Sequence, residues 1–523
     1  MCVRLESFAP MQSPPRTGPL IAVAVALFAL VAVYHVASAR AGYSHVRDLH
    51  LSAALEYAKG PIDLLRPVIV GFNVNGAPTP QEFPLWQALA GVTFKVLGTS
   101  FVWANLLSLA LFAAGFWPLY RLASVELGPR GGWWALIFLI VQPILILISG
   151  QASADGLSLV LSIWFAYFAE RLIRTGKVGW VIPATIFGVL SAVSKIPLFM
   201  SVGLLSFGLL LTHARKLGAA WLRLSIVGVV SGVAFLFWTR YIGWCHGLSE
   251  LPFSEPPSGD SVWQWYIGDL AFRLNPFNWA KGGWAALNCL LGSFALAALA
   301  VWALFFARCR MAQLWFLAAL ATTFVFAHVV LVHRHYYVLF SPAVALLCAA
   351  AMIRLEELLH LEKPWQRGAL AGGAFAILLA CALQGLIGIE IVLDHDPYRT
   401  RIIAAIRENT NADEKLLIRG GGGGGSGWGA ENFFLADRKG LAIRNTQLLE
   451  DPATLARLQT LGFTKLVMIS EPPLLHALQQ VNPGSLDRQR LSYTDSLTPV
   501  VDPWPTLVKT DDLLIKQIPA IAP

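Results

Sequence analysis

Long runs of apolar residues recur along most of the chain, and short polar segments separate them. The hydrocarbon core of a bilayer is about 30 Å thick and needs about 20 apolar residues in each crossing helix. We therefore predict a polytopic α-helical membrane protein with about 11 transmembrane helices, which lie near 19–37, 100–120, 132–149, 156–170, 179–194, 197–212, 222–241, 283–306, 312–332, 336–353 and 368–393. Residues 1–395 are called the membrane module below.

The sequence leaves open how the chain is arranged in two apolar stretches, 179–212 and 19–37. The stretch 179–212 is interrupted only by Ser194, Lys195 and Pro197, and we interpret it as a helical hairpin whose turn carries Lys195. The run near 19–37 is long for the apolar part of a signal peptide, and no small-residue cleavage site leads from it into a soluble domain. It is therefore interpreted as an uncleaved first helix.

The basic residues set the predicted orientation. If the N-terminus lies in the cytoplasm, lysines and arginines are more than twice as dense in the inner segments as in the outer loops, as expected for membrane proteins. The outer side then receives a first loop at 38–99, a tryptophan-rich loop at 242–282 and everything after about 394. The tryptophans of the second loop suit the headgroup level of a bilayer, and an aromatic platform for a substrate is the alternative.

Residues 396–523, called the tail below, read as a small α/β extracytoplasmic domain. Strands are predicted at 415–419, 465–469 and 512–517, and helices at 452–461 and 473–481. The glycines at 420–425 resemble a phosphate-binding loop, but six consecutive glycines match a GxGxxG pattern automatically, and no Lys-Ser or Lys-Thr pair follows. We interpret them as a flexible loop.

Composition narrows the class of protein. Only 13% of the residues are charged and 56% are hydrophobic, whereas soluble chains carry about 25% charged residues. A soluble enzyme, a disordered protein and a fibrous repeat are thereby excluded for the chain as a whole. The formal net charge of +8 reflects the inner loops and predicts no nucleic-acid partner. The six cysteines form no CxxC pair, so neither a disulfide framework nor a zinc site is indicated.

Ionisable groups at membrane depth are costly and usually functional. Under the predicted topology, several fall on the outer side and could converge on one cavity. They are Asp48, Asp63, Arg66 and Glu82 in the first loop, Asp155 at the start of the fourth span, Lys195 at the hairpin turn, and His333, Arg334, His335, Tyr336 and Tyr337 between the ninth and tenth spans.

Each candidate also has a structural interpretation. Asp48 and Asp155 could each cap a helix, the first of these being predicted over 49–59. Glu82 could face solvent, and Lys195 could extend its ammonium group to the lipid headgroups. His335 and the two tyrosines could belong to an interfacial aromatic belt.

The order of these residues resembles a known superfamily. Arg47-Asp48 and Ala53-Ala54 are followed by Pro67, Gly71 and Glu82-Phe83-Pro84-Leu85, then by Asp155, Lys195 and His335-Tyr336-Tyr337-Val338-Leu339 with Pro342. This pattern, over about 19–395, resembles the GT-C membrane glycosyltransferases. The nearer likeness is to family 39: protein O-mannosyltransferases, aminoarabinose transferases and lipopolysaccharide-core galacturonic-acid transferases. The tail motif from Phe433 to Gly440 resembles the outer domain of bacterial members.

The resemblance implies a hexosyl- or pentosyltransferase that uses a polyprenyl-phosphate sugar donor and a lipid, glycan or protein acceptor. By position, Asp48 matches the family's catalytic acid, although Leu49 and His50 stand where a second acid often follows. Lys195, Arg66 and Arg334 would bind the donor phosphate, and Glu82, Asp155, His335, Tyr336 and Tyr337 would line the pocket. Some relatives bind a divalent metal ion, for which Glu82 and His335 are candidates.

The same resemblance implies inversion at the anomeric carbon, with Asp48 as the base, in the inner membrane of a bacterium. The alternative is a transporter or a flippase for lipid-linked glycans, but the chain has no evident internal repeat and its unusual charges lie on one face. A non-catalytic scaffold is a third reading, and it predicts that Asp48, Lys195 and His335 are widely dispersed.

Overall fold

The computed structural model describes residues 17–40, 48–71, 78–212, 217–248, 266–307, 309–359, 363–388, 397–420, 430–443, 446–470 and 498–519. Helices fill most of the membrane module. They are α1 (Gly18–Arg40), α2 (Asp48–Lys59), α3 (Leu85–Leu97), α4 (Phe101–Ala113), α5 (Phe116–Ile140), α6 (Pro143–Ser149), α7 (Ala154–Thr175), α8 (Val181–Ser194), α9 (Ile196–Thr212), α10 (Leu217–His246), α11 (Leu270–Leu274), α12 (Pro276–Leu290), α13 (Phe294–Phe306), α14 (Arg310–Val325), α15 (Ala327–Val332), α16 (Ser341–Leu358) and α17 (Pro364–Gly388). Two short 3-10 helices, Val178–Trp180 and Arg334–Phe340, precede α8 and α16.

Six helices of the described segments are long and apolar enough to cross a bilayer, and a seventh crossing arises if α12 and α13, bent by 102°, form one span. Four further apolar helices are shorter than a full span. The polytopic helical class is thus confirmed, and the number of 11 crossings stays a prediction. Gly128, with φ +70° ahead of Pro129, breaks α5 into two helices, at the place where the sequence predicts a turn between two spans.

The core of the membrane module lies around α7. Its buried residues include Phe165 and Leu159, and α7 packs against α4, α5, α8 and α9. Because α7 is buried on nearly all sides, the polar residues at its start are enclosed by other helices rather than by lipid.

Two helices lie within the described part of the predicted first outer loop. The helix predicted over 49–59 is confirmed as α2, and α3, which the sequence analysis left within a loop, packs beside it. Gly91 of α3 permits this close packing, since a Cβ there would lie only 2.6 Å from the Cβ of Tyr57. Tyr57 donates a hydrogen bond to the carbonyl of Asp63 at 2.7 Å. Burial, together with the nearby Asp63 carboxylate, raises the pKa of Tyr57 and keeps the phenol neutral.

The tail contains a five-stranded sheet with the order β2-β1-β3-β5-β4. The strands are β1 (Lys415–Gly420), β2 (Lys439–Ile443), β3 (Phe463–Ile469), β4 (Thr506–Lys509) and β5 (Leu513–Gln517), and the helices are α18 (Pro397–Asn409), α19 (Ala430–Ala436) and α20 (Pro452–Thr460), with a 3-10 turn at Gln447–Glu450. Strands β2, β1 and β3 are parallel to one another. Strand β5 is antiparallel to β3, and β4 is antiparallel to β5. The three predicted strands and the helix at 452–461 are confirmed. The helix predicted at 473–481 and the glycines after Gly420 lie outside the described residues.

Alternate residues of β1 face opposite sides of the sheet, as the strand period requires. Leu416 and Ile418 pack with Ile402 and Phe433, whereas Leu417 packs with Leu458 on the other side. The sheet is therefore covered on both faces, which explains why its central strands are apolar without alternation.

Candidate functional site

The start of α7 places the first site carboxylate. Ser153 is the N-cap, and its side chain accepts a hydrogen bond from the backbone N–H of Asp155. Of the two interpretations of Asp155, the cap is wrong, because Ser153 fills that role. The Asp155 carboxylate is 1% exposed and forms an ion pair with the Lys195 ammonium group.

Lys195 is the single extended residue between α8 and α9. Its backbone N–H donates to the carbonyl of Ser191 at 2.9 Å, and its own carbonyl accepts from Leu198 at 3.1 Å, so the break is held at both ends. The side chain is 4% exposed and does not reach out to headgroups. Its Nζ contacts Asp155, lies 3.7 Å from Oε1 of Glu82 and 4.7 Å from the ring centre of Tyr336.

Glu82 comes from the segment that leads into α3. The N–H of the next residue, Phe83, donates to the carbonyl of Val193 at 3.1 Å, and Trp238 Nε1 donates to the carbonyl of Gln81 at 3.1 Å. The first bond brings the segment to the end of α8, beside Lys195, and the second holds it against α10. The Glu82 side chain is 22% exposed and touches both Lys195 and His50, so it does not simply face solvent.

His50 is a site residue that the sequence analysis missed. It is 6% exposed on α2, its Nε2 lies 3.7 Å from Oε2 of Glu82, and its Nδ1 lies 2.6 Å from Nε2 of Gln87. If the Gln87 amide donates, Nδ1 is the acceptor and Nε2 carries the proton toward Glu82. Its position two residues after the candidate acid Asp48 is the signal in the sequence that points to it.

We call Lys195, Asp155, Glu82 and His50 the Lys195 cluster. They come from α2, the segment before α3, the start of α7 and the break between α8 and α9. Two carboxylates lie beside one ammonium group, and the imidazole lies beside one of those carboxylates. In a low-dielectric site such charges interact strongly, and partners drawn from four separate elements resemble a built site more than a chance surface pair.

The remaining predicted residues divide into two sets. Tyr336 is buried and contacts Lys195, and its ring centre lies 4.5 Å from that of the half-buried His335. These two residues therefore lie beside the Lys195 cluster. Tyr337 is also buried, but its hydroxyl lies against Gly282 of α12. The buried tyrosines do not form an exposed belt.

The two arginines differ in exposure. Arg334 is half-buried at the start of the 3-10 helix that carries His335 and Tyr336, and Arg66 is exposed in a turn that Tyr241 holds through a 2.7 Å bond to the Leu65 carbonyl. Asp48 is the first residue of α2, but its side chain lies outside the described residues. Catalysis and capping by Asp48 therefore both stay predictions.

Glu82 and His335 are the candidate metal ligands. Within the described segments, no group of three or more His, Cys, Asp or Glu residues could hold a metal ion. Glu82 shares the Lys195 ammonium with Asp155, so the cation beside this carboxylate is a side chain. Among the described side chains, the donor set does not fit a metal site.

Comparison with known proteins places the fold. No protein-family model matches the sequence, and no curated protein does either. Among solved structures, ArnT from Cupriavidus metallidurans bound to undecaprenyl phosphate is similar, with a TM-score of 0.59, 15% identity, and coverage of 97% of this chain and 100% of that chain. The apo state of the same enzyme gives a TM-score of 0.56 at 13% identity, with 96% and 98% covered.

The oligosaccharyltransferase AglB from Archaeoglobus fulgidus, in complex with an inhibitory peptide and a dolichol-phosphate, is also similar. Its TM-score is 0.50 at 11% identity, with 85% of this chain and 69% of that chain covered. The resemblance that the sequence motifs suggested is thereby confirmed at the level of fold, since the chain has the GT-C fold. The assignment to family 39 stays a prediction.

Proposed function

We propose that the protein is a glycosyltransferase that moves a sugar from a polyprenyl-phosphate donor to a hydroxyl acceptor at the outer face of the membrane. The observation that carries this proposal is the Lys195 cluster, a buried set of charges at the ends of helices with no evident role in local capping. The fold supports it, because structures with this fold bind undecaprenyl phosphate and dolichol-phosphate. A donor of this kind keeps its chain in the bilayer and its phosphate at the interface.

We assign the donor phosphate to Lys195, Arg334 and Arg66. Lys195 alone is outnumbered by Asp155 and Glu82, so it balances those carboxylates and a bound phosphate needs further positive charge. Arg334 stands next to His335, at the Tyr336 side of the cluster, and supplies a guanidinium suited to phosphate. Cations fixed around the phosphate stabilise the negative charge that it gains as it leaves.

Asp48 is assigned as the base. The acceptor hydroxyl oxygen forms a bond to the anomeric carbon, the bond from that carbon to the phosphate oxygen breaks, and the phosphate leaves with the electron pair. The hydroxyl proton passes to the Asp48 carboxylate. Attack opposite the leaving phosphate inverts the configuration. A phosphate leaves readily, so the mechanism needs no second acid to protonate it.

The apolar helices make this a multi-pass membrane protein. We propose that it lies in a bacterial inner membrane with a cytoplasmic N-terminus and a periplasmic or extracellular tail, and that the chain divides into 1–395 and 396–523. The sheet and its covering helices, which begin at α18, support this division.

Asp48→Asn tests the assignment of the base. In proteoliposomes given a labelled polyprenyl-phosphate sugar and cell-envelope acceptors, the variant is expected to lose about 10²–10⁴-fold in transfer rate. Asp63→Asn is the matched control, because Asp63 is an exposed acid of the same loop whose carboxylate accepts a 2.9 Å bond from the Leu65 N–H in its own turn. Transfer at the wild-type rate by Asp48→Asn would remove Asp48 from the mechanism. Movement of labelled donor across the bilayer without any transfer would favour the transporter instead.

A further inference from the structure

The first outer loop extends the sheet of the tail. In the described part of the chain β2 is an edge strand, and Gly71 of the membrane module pairs beside it as a parallel bridge to Leu441. The N–H of Ala442 donates to the carbonyl of Gly71 at 2.9 Å. Main-chain bonds of this kind satisfy a sheet edge and fix the register of the added segment.

Val70, the residue before this bridge, connects the tail with α2. Its side chain packs against the apolar cluster of the tail that contains Ile402, Phe433 and Ala442. Its N–H donates to Oγ of Ser52 at 2.8 Å, and Ser52 lies on α2 with 1% exposure. One residue is thus bound to the tail through its side chain and to the membrane module through its backbone.

The same segment also holds the chain that leads to Glu82. Ile69 N–H donates to Oγ1 of Thr79 at 2.8 Å, and Thr79 N–H donates to the carbonyl of Pro67 at 2.8 Å. Thr79 is 5% exposed and stands three residues before Glu82. We call residues 67–71 the bracket. The bracket therefore contacts α2, which carries His50, and the segment before α3, which carries Glu82.

We propose that the tail positions the catalytic residues, and that Ser52, Val70 and Gly71 are positioning residues for the transfer. This rests on the proposed function, because it concerns the same site. A helix of about 12 residues is marginal by itself, and α2 has 12 residues, so its placement depends on its neighbours. They are α3 on one side, and the bracket and α19 on the other. The tail is then part of the active-site framework and not a separate acceptor-binding module.

The backbone conformation at position 71 favours glycine. Gly71 has φ +94°, a left-handed value that residues with a Cβ rarely adopt. Gly71→Ala is expected to strain the bridge without removing any side-chain contact. It therefore provides a mild variant beside the stronger Val70→Asp, which places a carboxylate against the apolar cluster of the tail.

The experiment compares Val70→Asp with Leu507→Asp in the full-length protein. Leu507 is an exposed aliphatic residue of β4, at the opposite edge of the described sheet, so the two variants place the same charge at opposite edges of one sheet. Val70→Asp is expected to lower kcat about tenfold or more with the donor KM changed less than about twofold. Leu507→Asp is expected to leave both unchanged, and Val70→Ile to retain wild-type activity.

A second readout reports docking without using activity. Lys59 Nζ lies 3.6 Å from Oδ1 of Asp437, and both side chains are exposed, so Lys59→Cys with Asp437→Cys should be joined by a short bismaleimide in a background that lacks Cys2. Val70→Asp and Gly71→Ala should lower the yield, and Leu507→Asp should not. No crosslink in the otherwise wild-type protein would overturn the docking. A lowered yield with unchanged kcat would overturn the positioning role. If Asp48→Asn stays active while these results hold, only the assignment of the base fails.

Discussion

Two buried lysines, Lys195 in the membrane module and Lys516 in the tail, have contrasting surroundings. Lys516 is 3% exposed, and its ammonium group donates to the carbonyls of Asp502 and Trp504 at 2.8 and 3.0 Å and to Oγ1 of Thr506 at 3.3 Å. All three oxygens are neutral and lie within 14 residues of it. Lys195 is equally buried, but its partners are the charged Asp155 and Glu82 and the ring of Tyr336.

The contrast distinguishes a structural lysine from a functional candidate. Three neutral oxygens satisfy the three N–H donors of Lys516, so its ammonium group has no donor left for a ligand. Around Lys195, two carboxylates from distant parts of the chain share one ammonium group, and such an arrangement is costly to bury. Perturbed charges of this type collect at functional sites more often than in ordinary cores.

The largest expected effect comes from Lys195→Met. Removal of the ammonium group leaves Asp155 and Glu82 without their shared cation and weakens the hold on the donor phosphate, so kcat/KM should fall about 10²–10³-fold. Single-turnover transfer in proteoliposomes measures this loss, and thermal unfolding in detergent verifies that the helices remain folded. Lys516→Met is the matched control, since it makes the same substitution at an equally buried lysine. Wild-type transfer by Lys195→Met would show that both lysines are structural.

A smaller effect is expected from Lys516→Met itself. The variant leaves the buried carbonyl of Trp504 and the partly buried carbonyl of Asp502 without their donor. This loss costs about 1–3 kcal/mol and should raise hydrogen-exchange rates in β4 and β5 about five- to 150-fold. Transfer activity should stay within about twofold of wild type while the tail remains folded. A loss of activity as large as that of Lys195→Met, without faster exchange, would contradict the distinction drawn here.

The sequence predicts the helices around Lys195 better than it predicts the contacts between their side chains. Lys195 stands out because it interrupts an apolar run, and Asp155 because it opens one. His50 does not stand out, since a histidine beside Leu49 and Leu51 reads equally well as part of a helix face. Its partner Gln87 lies on α3, whose 13 residues are too few to span a bilayer and so give no transmembrane signal in the sequence.

The junction with the tail could not be predicted either. The bracket makes its bonds through backbone groups of Val70 and Gly71, and a backbone bond leaves almost no trace in side-chain pattern. Strand β2 was missed for a related reason. Gly440 lies within it at φ +155°, and glycine inside a short run argues against a strand. Pairing with β1 and Gly71 outweighs that local preference.

The smallest effect is expected from Glu414→Gln, which tests through its pH dependence whether an ion pair of the tail serves only the fold. Glu414 accepts a 2.8 Å bond from the Lys465 ammonium group, which also donates to the Asn409 carbonyl at 2.8 Å. Partial burial raises the pKa of Glu414, but the bonds from Lys465 and from the Asn411 N–H outweigh it, and the pKa lies below its usual value. Glu414 therefore stabilises the tail above the unfolded-state pKa, and this contribution is lost as the pH falls through the lower, folded-state pKa.

Glu414→Gln should accordingly destabilise the tail by about 1 kcal/mol at pH 7, and its deficit relative to wild type should shrink as the pH is lowered through the folded-state pKa. Hydrogen exchange of β3 in the full-length protein, corrected for the intrinsic rate at each pH, measures the difference. Glu450→Gln, at an exposed acid before α20, is the control and should leave exchange unchanged over the same pH range. A deficit that persists unchanged at low pH would mean that Gln fails for reasons of shape, and the ion pair with Lys465 would then have no share in the stability of the tail. Transfer activity should be unaffected at pH 7, because this pair, like Lys516 and unlike Lys195, serves only the fold.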